Sequence, residues 1–293
     1  MNGVIIINKP RGKTSHDMVS FIRRLTGIKK VGHTGTLDPE ATGVLPVCIG
    51  NATKACELLT SERKVYRAQL MLGMTTDTLD IDGEVLTEQP VNVTKEEIEQ
   101  VIKSFVGEVW QTPPMYSAIK IDGKKLYELA RQGQNIEREK RKITIYSIEI
   151  IEINPINDTV TIDVDCSKGT YIRTLCEDIG MKLGCGAFMS ALERTKSGQF
   201  DISMAYTEEE LYQISKNDNL EECLIPTDKV FFDLPQIRVN ERQKGFIVNG
   251  VRTRYKGLIQ NQSYRVYDEA GEFLCISKCI DERLTLEKAF WNR

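Results

Sequence analysis

The sequence predicts an α+β protein with a mixed, mainly antiparallel central sheet, flanking helices and a small β-rich C-terminal domain. Residues 159–165 alternate polar and apolar side chains without interruption, as in a half-buried strand of an antiparallel sheet. Residues 94–106 instead repeat apolar side chains at helical spacing. After Pro226, frequent glycines separate short β-like runs. We therefore predict two domains, at residues 1–230 and 231–293.

The other elements of the larger domain follow from the same two periodicities. A β-branched run predicts a buried strand at residues 3–8, and Thr14 or Ser15 can cap the next helix, which ends at Gly27. Further strands are predicted at residues 44–49, 65–72, 143–153, 159–165 and 187–195. Further helices are predicted at residues 51–59, with Asn51 as cap, at 94–106 and at about 171–183, and two short ones within 201–228.

Charge is segregated along the chain, although the net charge is only −3. Residues 120–142 carry eight Lys/Arg against four Asp/Glu, and residues 236–265 carry seven against one. Residues 201–228 carry eight acids against Lys216. Two basic patches on an otherwise acidic protein indicate a defined track for a polyanion. Either patch alone is equally well explained as a solvated charged surface.

The cysteine pattern and the absence of long apolar runs indicate where the protein works. The eight cysteines form no CxxC pair, which in a chain of 293 residues favours reduced thiols over disulfides or a zinc ribbon. No run approaches the roughly 18 apolar residues of a membrane span, and residues 3–7 are too short for a signal peptide. We therefore expect a cytoplasmic protein without membrane contact.

The residue inventory excludes several classes of chemistry. With only His16 and His33, and without HExxH, P-loop, dinucleotide or nucleophile-elbow motifs, we expect neither a metal nor a cofactor. The aspartates of residues 75–83 do not complete a calcium loop, because Thr78 and Gln89 occupy two ligand positions. We interpret that segment as a turn-rich loop. What remains is carboxylate chemistry, supported by Tyr and Arg, on a polyanionic substrate.

The segment Gly32–Gly43, with the sequence GHTGTLDPEATG, is the best candidate for such chemistry. Its three glycines and one proline predict an irregular, rigid loop. Asp38 stands directly before Pro39, which restricts its backbone. The loop leads into the apolar run of residues 44–49, and a polar loop mounted on a buried strand is a common place for catalytic groups.

This loop resembles the catalytic loop of the bacterial tRNA pseudouridine-55 synthases, the TruB family. The resemblance covers essentially the whole chain and implies that Asp38 is the catalytic carboxylate. It also implies that Tyr66, in the sequence KVYR, stacks on the flipped base and helps to remove its C5 proton. Tyr171 and Arg173, in SKGTYIRTL, match a pocket tyrosine and the arginine that pairs with the aspartate.

The resemblance extends to substrate binding. It implies that Leu192 forms an apolar wall of the pocket and that His33 fills the space that the flipped base leaves in the RNA. Residues 116–142 resemble the family's RNA-gripping thumb insertion, and residues 231–293 a PUA-type module. The expected activity is isomerisation of uridine 55 in the T-arm of tRNA by a monomer that needs no cofactor or protein partner. The fold implied is that of pseudouridine synthases.

Two other functions are compatible with parts of the sequence. The basic patches alone would suffice for a non-catalytic RNA-binding or RNA-folding protein, but binding does not require a carboxylate near phosphates. A glycosidase using Asp38 and Glu40 would need a sugar-stacking tryptophan, and Trp110 and Trp291 lie far from the loop in sequence. The sequence leaves open whether Asp38 attacks the sugar or the base, or removes a sugar proton.

Overall fold

The computed structural model describes residues 1–60, 63–117, 119–121, 123–130, 132–134 and 136–291. Its α-helices are α1 (Ser15–Thr26), α2 (Cys56–Thr60), α3 (Lys95–Lys103), α4 (Leu126–Ala130), α5 (Ile172–Leu183), α6 (Glu208–Lys216) and α7 (Glu241–Val248). Its strands are β1 (Gly3–Lys9), β2 (Val31–His33), β3 (Thr42–Ile49), β4 (Lys64–Leu72), β5 (Met74–Thr76), β6 (Val85–Glu88), β7 (Gly107–Gln111), β8 (Lys120–Ile121), β9 (Lys124–Lys125), β10 (Arg141–Asn154), β11 (Thr159–Cys166), β12 (Ala187–Ser197), β13 (Phe200–Asp201), β14 (Gln236–Arg238), β15 (Thr253–Arg254), β16 (Ser263–Tyr267), β17 (Phe273–Ile280) and β18 (Arg283–Ala289).

A nine-stranded sheet forms the centre of the molecule, in the order β1-β3-β12-β4-β11-β10-β7, with β2 beside β3 and β13 beside β12. Strands β3 and β12 run parallel, whereas the other neighbours along this path are antiparallel. The predicted fold class, a mixed and mainly antiparallel sheet with flanking helices, is confirmed.

Two helices cover different parts of this sheet, and local sequence explains where each begins. The Thr14 side chain accepts a hydrogen bond from the Asp17 amide and so caps α1, which packs against β1 and β3. Helix α5 packs against β4 and β11 in a separate apolar cluster. Tyr66 and Leu192 contact both clusters. The two predicted pocket residues therefore lie where the two halves of the sheet meet.

The C-terminal part forms a second sheet of five strands, in the order β14-β16-β17-β18-β15. This β-rich unit was predicted, but helix α7 was not. The unit is not separated from the rest, because Ile276 and Phe290 share an apolar cluster with Val4, Ile6 and Val44. Its sheet therefore packs against the face of β1 and β3 that is opposite helix α1.

Two predicted helices differ in the structure. Residues 50–55 form a 3₁₀ helix without a side-chain cap, followed by the short α2, so Asn51 does not cap a helix there. The acidic stretch contains one α-helix, α6, between 3₁₀ segments at Ile202–Met204 and Leu220–Cys223. The basic insertion contains the short helix α4. Some predicted insertion residues, including Arg131, lie outside the described residues.

The described part of the chain contains no helix that is long and apolar enough to cross a membrane. The eight cysteines are free thiols, and all except Cys56 are buried, which agrees with the expectation of reduced thiols.

Candidate active site

The predicted loop connects β2 to β3 and is shaped by its glycines. Gly35 has φ +140° and Gly43 has φ +99°, conformations that favour glycine. A Cβ on Gly43 would lie 2.3 Å from the carbonyl oxygen of Arg194. Glycine at this position thus permits the close approach of β3 to β12, the two parallel strands that pair where the loop joins β3.

Buried side chains hold the loop backbone in place. The Lys9 ammonium donates hydrogen bonds to the carbonyl oxygens of Pro39 (2.9 Å), Pro10 (2.9 Å) and Lys13 (2.5 Å). Burial lowers the pKa of Lys9 to about 8, against the attraction of nearby carboxylates. The Ser15 hydroxyl exchanges hydrogen bonds with the backbone of Leu37, at 2.8 Å from the amide and 3.1 Å from the carbonyl. The loop is therefore rigid while Asp38 remains accessible, with its side chain 44% exposed.

Asp38 is paired with Arg173, as the resemblance implies. Its carboxylate oxygen Oδ2 lies 3.1 Å from Nη2 of Arg173, whose side chain is only 6% exposed. The other terminal nitrogen, Nη1, lies 3.1 Å from Oδ2 of Asp80 and 3.3 Å from the carbonyl oxygen of Thr78. Nη2 also donates to the carbonyl oxygen of Tyr116 at 2.8 Å. The guanidinium is thus divided between two carboxylates and fixed by two carbonyls.

Asp80 was not identified from the sequence, where it belonged to a turn-rich loop. The position of Arg173 at the start of a helix does indicate that it needs carboxylate partners. Arg173 lies in the first turn of α5, where the helix dipole disfavours a cation, so its charge requires nearby carboxylates. Asp38 supplies one, and Asp80 supplies the second from an element far away in the sequence.

The predicted pocket residues lie on neighbouring elements of the same site. Tyr66 is on β4 and Leu192 on β12, and both are partly buried. Burial raises the pKa of the Tyr66 hydroxyl, and the positive charge of Arg194 opposes this shift. Tyr171 is the N-cap residue of α5. Its amide donates to Gln111 Oε1 at 3.1 Å, and its carbonyl accepts from Gln111 Nε2 at 3.2 Å.

His33 stands at the start of the loop, at the end of β2. Its Nδ1 accepts a hydrogen bond from the Gly35 amide at 3.3 Å. Burial lowers the pKa of the imidazole, and the charge of Arg194 adds to the effect. Because Nδ1 of the neutral ring is used by the Gly35 amide, Nε2 is the ring nitrogen that can contact other groups.

A cleft of about 420 Å³ opens beside these residues. Its wall includes Leu192 and Asp80, together with Arg11, Arg67 and Gln69. The cleft combines apolar walls with charged groups, which suits a nucleotide better than an apolar ligand. Of the site residues, Leu192 and Asp80 line this cleft, whereas Asp38, Arg173 and Tyr66 do not. Asp38 contacts Arg173, and Tyr66 and Leu192 pack against the same two apolar clusters.

Comparisons with known proteins show the family to which the chain belongs. Residues 23–172 match the "TruB family pseudouridylate synthase (N terminal domain)" and residues 173–231 the "tRNA pseudouridylate synthase B C-terminal domain". The chain is 50% identical over 294 residues to the tRNA pseudouridine synthase B of Clostridium perfringens strain 13, covering 98% of both chains. It is 50% identical over 276 residues to the protein of the same name from Alkaliphilus oremlandii, covering 94% of this chain and 89% of the relative.

Two solved structures are similar to this chain over nearly its whole length. A chain of a Cbf5-Nop10-Gar1 complex has a TM-score of 0.75 and 29% identity, covering 99% of this chain and 85% of that one. A chain from an H/ACA RNP bound to a substrate RNA containing 2'-deoxyuridine has a TM-score of 0.74 and 26% identity, with coverage of 99% and 86%. The chain therefore belongs to the TruB family of pseudouridylate synthases and is an isomerase that forms pseudouridine.

Proposed function

We propose that this enzyme converts uridine 55 in the T-loop of tRNA to pseudouridine, with Asp38 as the catalytic carboxylate. The observation that carries the proposal is the ion pair between Asp38 and Arg173, in which an accessible carboxylate is held by a buried guanidinium. A fixed carboxylate on a rigid loop is what a reaction without cofactor requires. The names of the relatives, tRNA pseudouridine synthase B, support tRNA as the substrate.

The reaction needs only groups that this site contains. The N1–C1′ bond of the uridine breaks, the uracil rotates within the pocket, and C5 bonds to C1′ before it loses its proton. Asp38 acts on the sugar or the ring in the first step. Tyr66 is partly buried beside it and stacks on the flipped base, with its hydroxyl placed to help remove the C5 proton.

The pocket walls support recognition of a base that has left its stack. Leu192 and Tyr66 lie at the junction of the two apolar clusters, so they offer an apolar face for the uracil. Tyr171, fixed through its backbone by Gln111, forms a further wall. His33, at the entrance of the loop, fills the space that the base leaves in the T-loop.

RNA binding outside the pocket falls to two regions. Residues 116–142 form the insertion that grips the T-arm, and residues 231–293 form a PUA-like unit that binds RNA beside the catalytic domain of residues 1–230. Exposed cations of the second region are Arg238, Arg242, Arg252, Arg254, Lys256 and Arg283. Arg265 does not belong to this surface, because it donates to the carbonyl oxygens of Leu234, Asp228 and Phe232. We expect the enzyme to act as a monomer.

Tritium release tests the proposal directly. A T-arm minihelix carrying [5-³H]uridine only at position 55 should release its label, and a minihelix labelled only at position 54 should not. The same pair is then measured with Asp38→Asn. Tight binding of the minihelix by wild-type protein without release from position 55 would favour the alternative, a non-catalytic RNA-folding protein. Release from position 54 would overturn the assigned specificity.

A further inference from the structure

Arg194 is a charged residue in the interior of the catalytic region. Its side chain is 1% exposed, and it stands on β12 between Tyr66 of β4 and Gly43 of β3, its partners in the two strand registers. No carboxylate of the described residues lies within 4.0 Å of its guanidinium, in contrast to Arg173. A buried cation without an ion-pair partner is costly, so its contacts must compensate for the lost hydration.

Those contacts are carbonyl oxygens at the two ends of the catalytic loop. Nε donates to the carbonyl oxygen of Val44 at 2.7 Å, and Nη2 donates to that of Gly35 at 3.2 Å. The third nitrogen, Nη1, lies 3.6 Å from the position that a Cβ of Gly35 would occupy. Because the guanidinium is planar and rigid, one group fixes the separation of the two loop ends. Asp38 lies between these ends.

The same guanidinium also lies beside Tyr66. Residues directly opposite in antiparallel strands place their side chains on one face of the sheet, and Arg194 is opposite Tyr66. Three charged or titratable neighbours act on the hydroxyl of Tyr66. Arg194 lowers its pKa, whereas Asp38 and Cys166 raise it, and burial raises it most. Of these three neighbours, Arg194 is therefore the one that favours deprotonation of the Tyr66 hydroxyl.

We propose that Arg194 is a positioning residue for pseudouridine formation, which holds the Asp38 loop and Tyr66 in one fixed arrangement. The inference rests on the proposed roles of Asp38 and Tyr66. Arg194 does not touch the nucleotide. It sets the position of the loop that carries the carboxylate and the electrostatic surroundings of the tyrosine that follows it in the reaction. Lysine keeps the charge but replaces two donor nitrogens at a fixed separation by one ammonium nitrogen, so it cannot hold the two carbonyls at the same separation.

Arg265 offers a matched control. Like Arg194, which donates to two backbone carbonyl oxygens, Arg265 donates to three, those of Leu234, Asp228 and Phe232, away from the loop. Arg194→Lys and Arg265→Lys thus make the same chemical change to carbonyl-binding arginines. Thermal unfolding, minihelix affinity and the single-turnover rate at saturating RNA are measured for both, and Arg194→Met is added as a second variant that removes the charge while keeping much of the volume.

Arg194→Lys should lower the single-turnover rate about 30-fold or more while affinity changes less than about threefold, because the transition-state geometry is lost and the RNA surface is intact. Arg265→Lys should destabilise to a similar extent and keep the wild-type rate. On a Tyr66→Phe background, Arg194→Lys should cost less than on wild type, because the two residues act together. Arg194→Met should be slower than Arg194→Lys.

Three results would overturn the inference: equal rates for Arg194→Lys and Arg265→Lys, a rate loss that vanishes at saturating RNA, or failure of both Arg194 variants to fold, which would make Arg194 a requirement of the core. The proposed function is tested separately by Asp38→Asn in the same assay. An active Asp38→Asn overturns the assignment of Asp38. An inactive Asp38→Asn beside a fully active Arg194→Lys overturns only the role of Arg194.

Discussion

The proposed catalytic loop, whose irregular part is residues 34–41, and the insertion, residues 116–142, are built in opposite ways. The loop has no regular structure, yet Thr34, Leu37 and Ala41 are buried and its backbone carbonyls are bound by buried cations. Before β10 begins at Arg141, the described part of the insertion has only the two-residue strands β8 and β9 and the five-residue helix α4. Chemistry needs a carboxylate fixed to a fraction of an ångström, whereas gripping an RNA needs a surface that adapts.

Arg173 connects the two regions. Its Nη2 contacts Asp38 of the loop and donates to the carbonyl oxygen of Tyr116 at the base of the insertion, at 2.8 Å. Through one buried guanidinium, the insertion is tied to Asp38, the proposed catalytic carboxylate. Substitutions in the loop and at Arg173 should therefore lower mainly the reaction rate, whereas changes in the insertion should lower mainly the affinity for RNA.

The largest effect is expected in the loop. Asp38→Asn preserves the shape of the side chain and removes its ionised oxygen, so the single-turnover rate should fall at least about 1,000-fold. Minihelix affinity should stay within about threefold of wild type, because the carboxylate is not a phosphate ligand. Filter binding and tritium release measure the two quantities. A slow but easily measurable rate would assign the chemistry to another group, with Asp80 as the next candidate.

The connecting residue should show a smaller loss. Arg173→Lys keeps the positive charge but cannot reach Asp38, Asp80 and the Tyr116 carbonyl together, so we expect a rate about 10- to 100-fold lower. Asp80→Asn should lower the rate less, since it leaves the Asp38 contact in place. Added to Asp38→Asn, Arg173→Lys should cost little further rate. Independent, multiplying losses would mean that Arg173 serves the RNA backbone instead.

The insertion should affect binding first. Replacing residues 119–139 with a short Gly-Ser linker should weaken minihelix affinity about tenfold or more, with a smaller loss of rate at saturating RNA. Substituting only Lys124 and Lys140 by alanine separates charge from shape, because both side chains are exposed. A rate loss equal to that of Arg173→Lys, without an affinity loss, would show that the insertion acts mainly through Tyr116.

The sequence was most informative where local rules decide the structure. The alternation in residues 159–165 and the helix cap at Thr14 appear in the structure as expected. The pairing of Asp38 with Arg173 was also anticipated, from the family resemblance. These signals lie within one element or one motif, so no tertiary information was needed to find them.

The sequence was least informative where tertiary contacts override local rules. Lys9 and Arg194 are among the most buried side chains, contrary to the usual exposure of charged residues. Asp80 reaches Arg173 only because the chain folds back from a distant loop. Helix α7 was missed because Gly245 interrupts its apolar pattern and resembles a turn signal. The roles of the site residues remain predictions that activity measurements must test.

The C-terminal unit should contribute a modest binding effect. Truncation after Val230 is a poor test, because it would remove Ile276 and Phe290 from a cluster shared with β1 and β3. Arg254→Ala combined with Lys256→Ala avoids that damage. Affinity should fall about tenfold, and the slope of log affinity against log salt should decrease by about two if both bind phosphates. Lys216→Ala, on α6, is the control, and equal slopes would remove this surface from the RNA track.

The last effect is expected on stability and concerns Lys9, whose ammonium binds the loop backbone from the protein interior. Burial places its pKa near 8 in the folded protein, below the ordinary value of 10.5. Between these two values the unfolded chain binds more protons than the folded one, so stability increases with pH. Relative to Lys9→Met, which has no titrating group, wild-type protein should therefore gain unfolding free energy from about pH 8 upward. The gain approaches roughly 3 kcal/mol near pH 10.5, at 1.36 kcal/mol per pKa unit.

Below about pH 7 the difference between the two proteins should be constant. Urea unfolding at a series of pH values measures it, and a difference that stays flat to pH 10 would mean that the nearby carboxylates keep Lys9 charged and that the loop is held by an ordinary ammonium group.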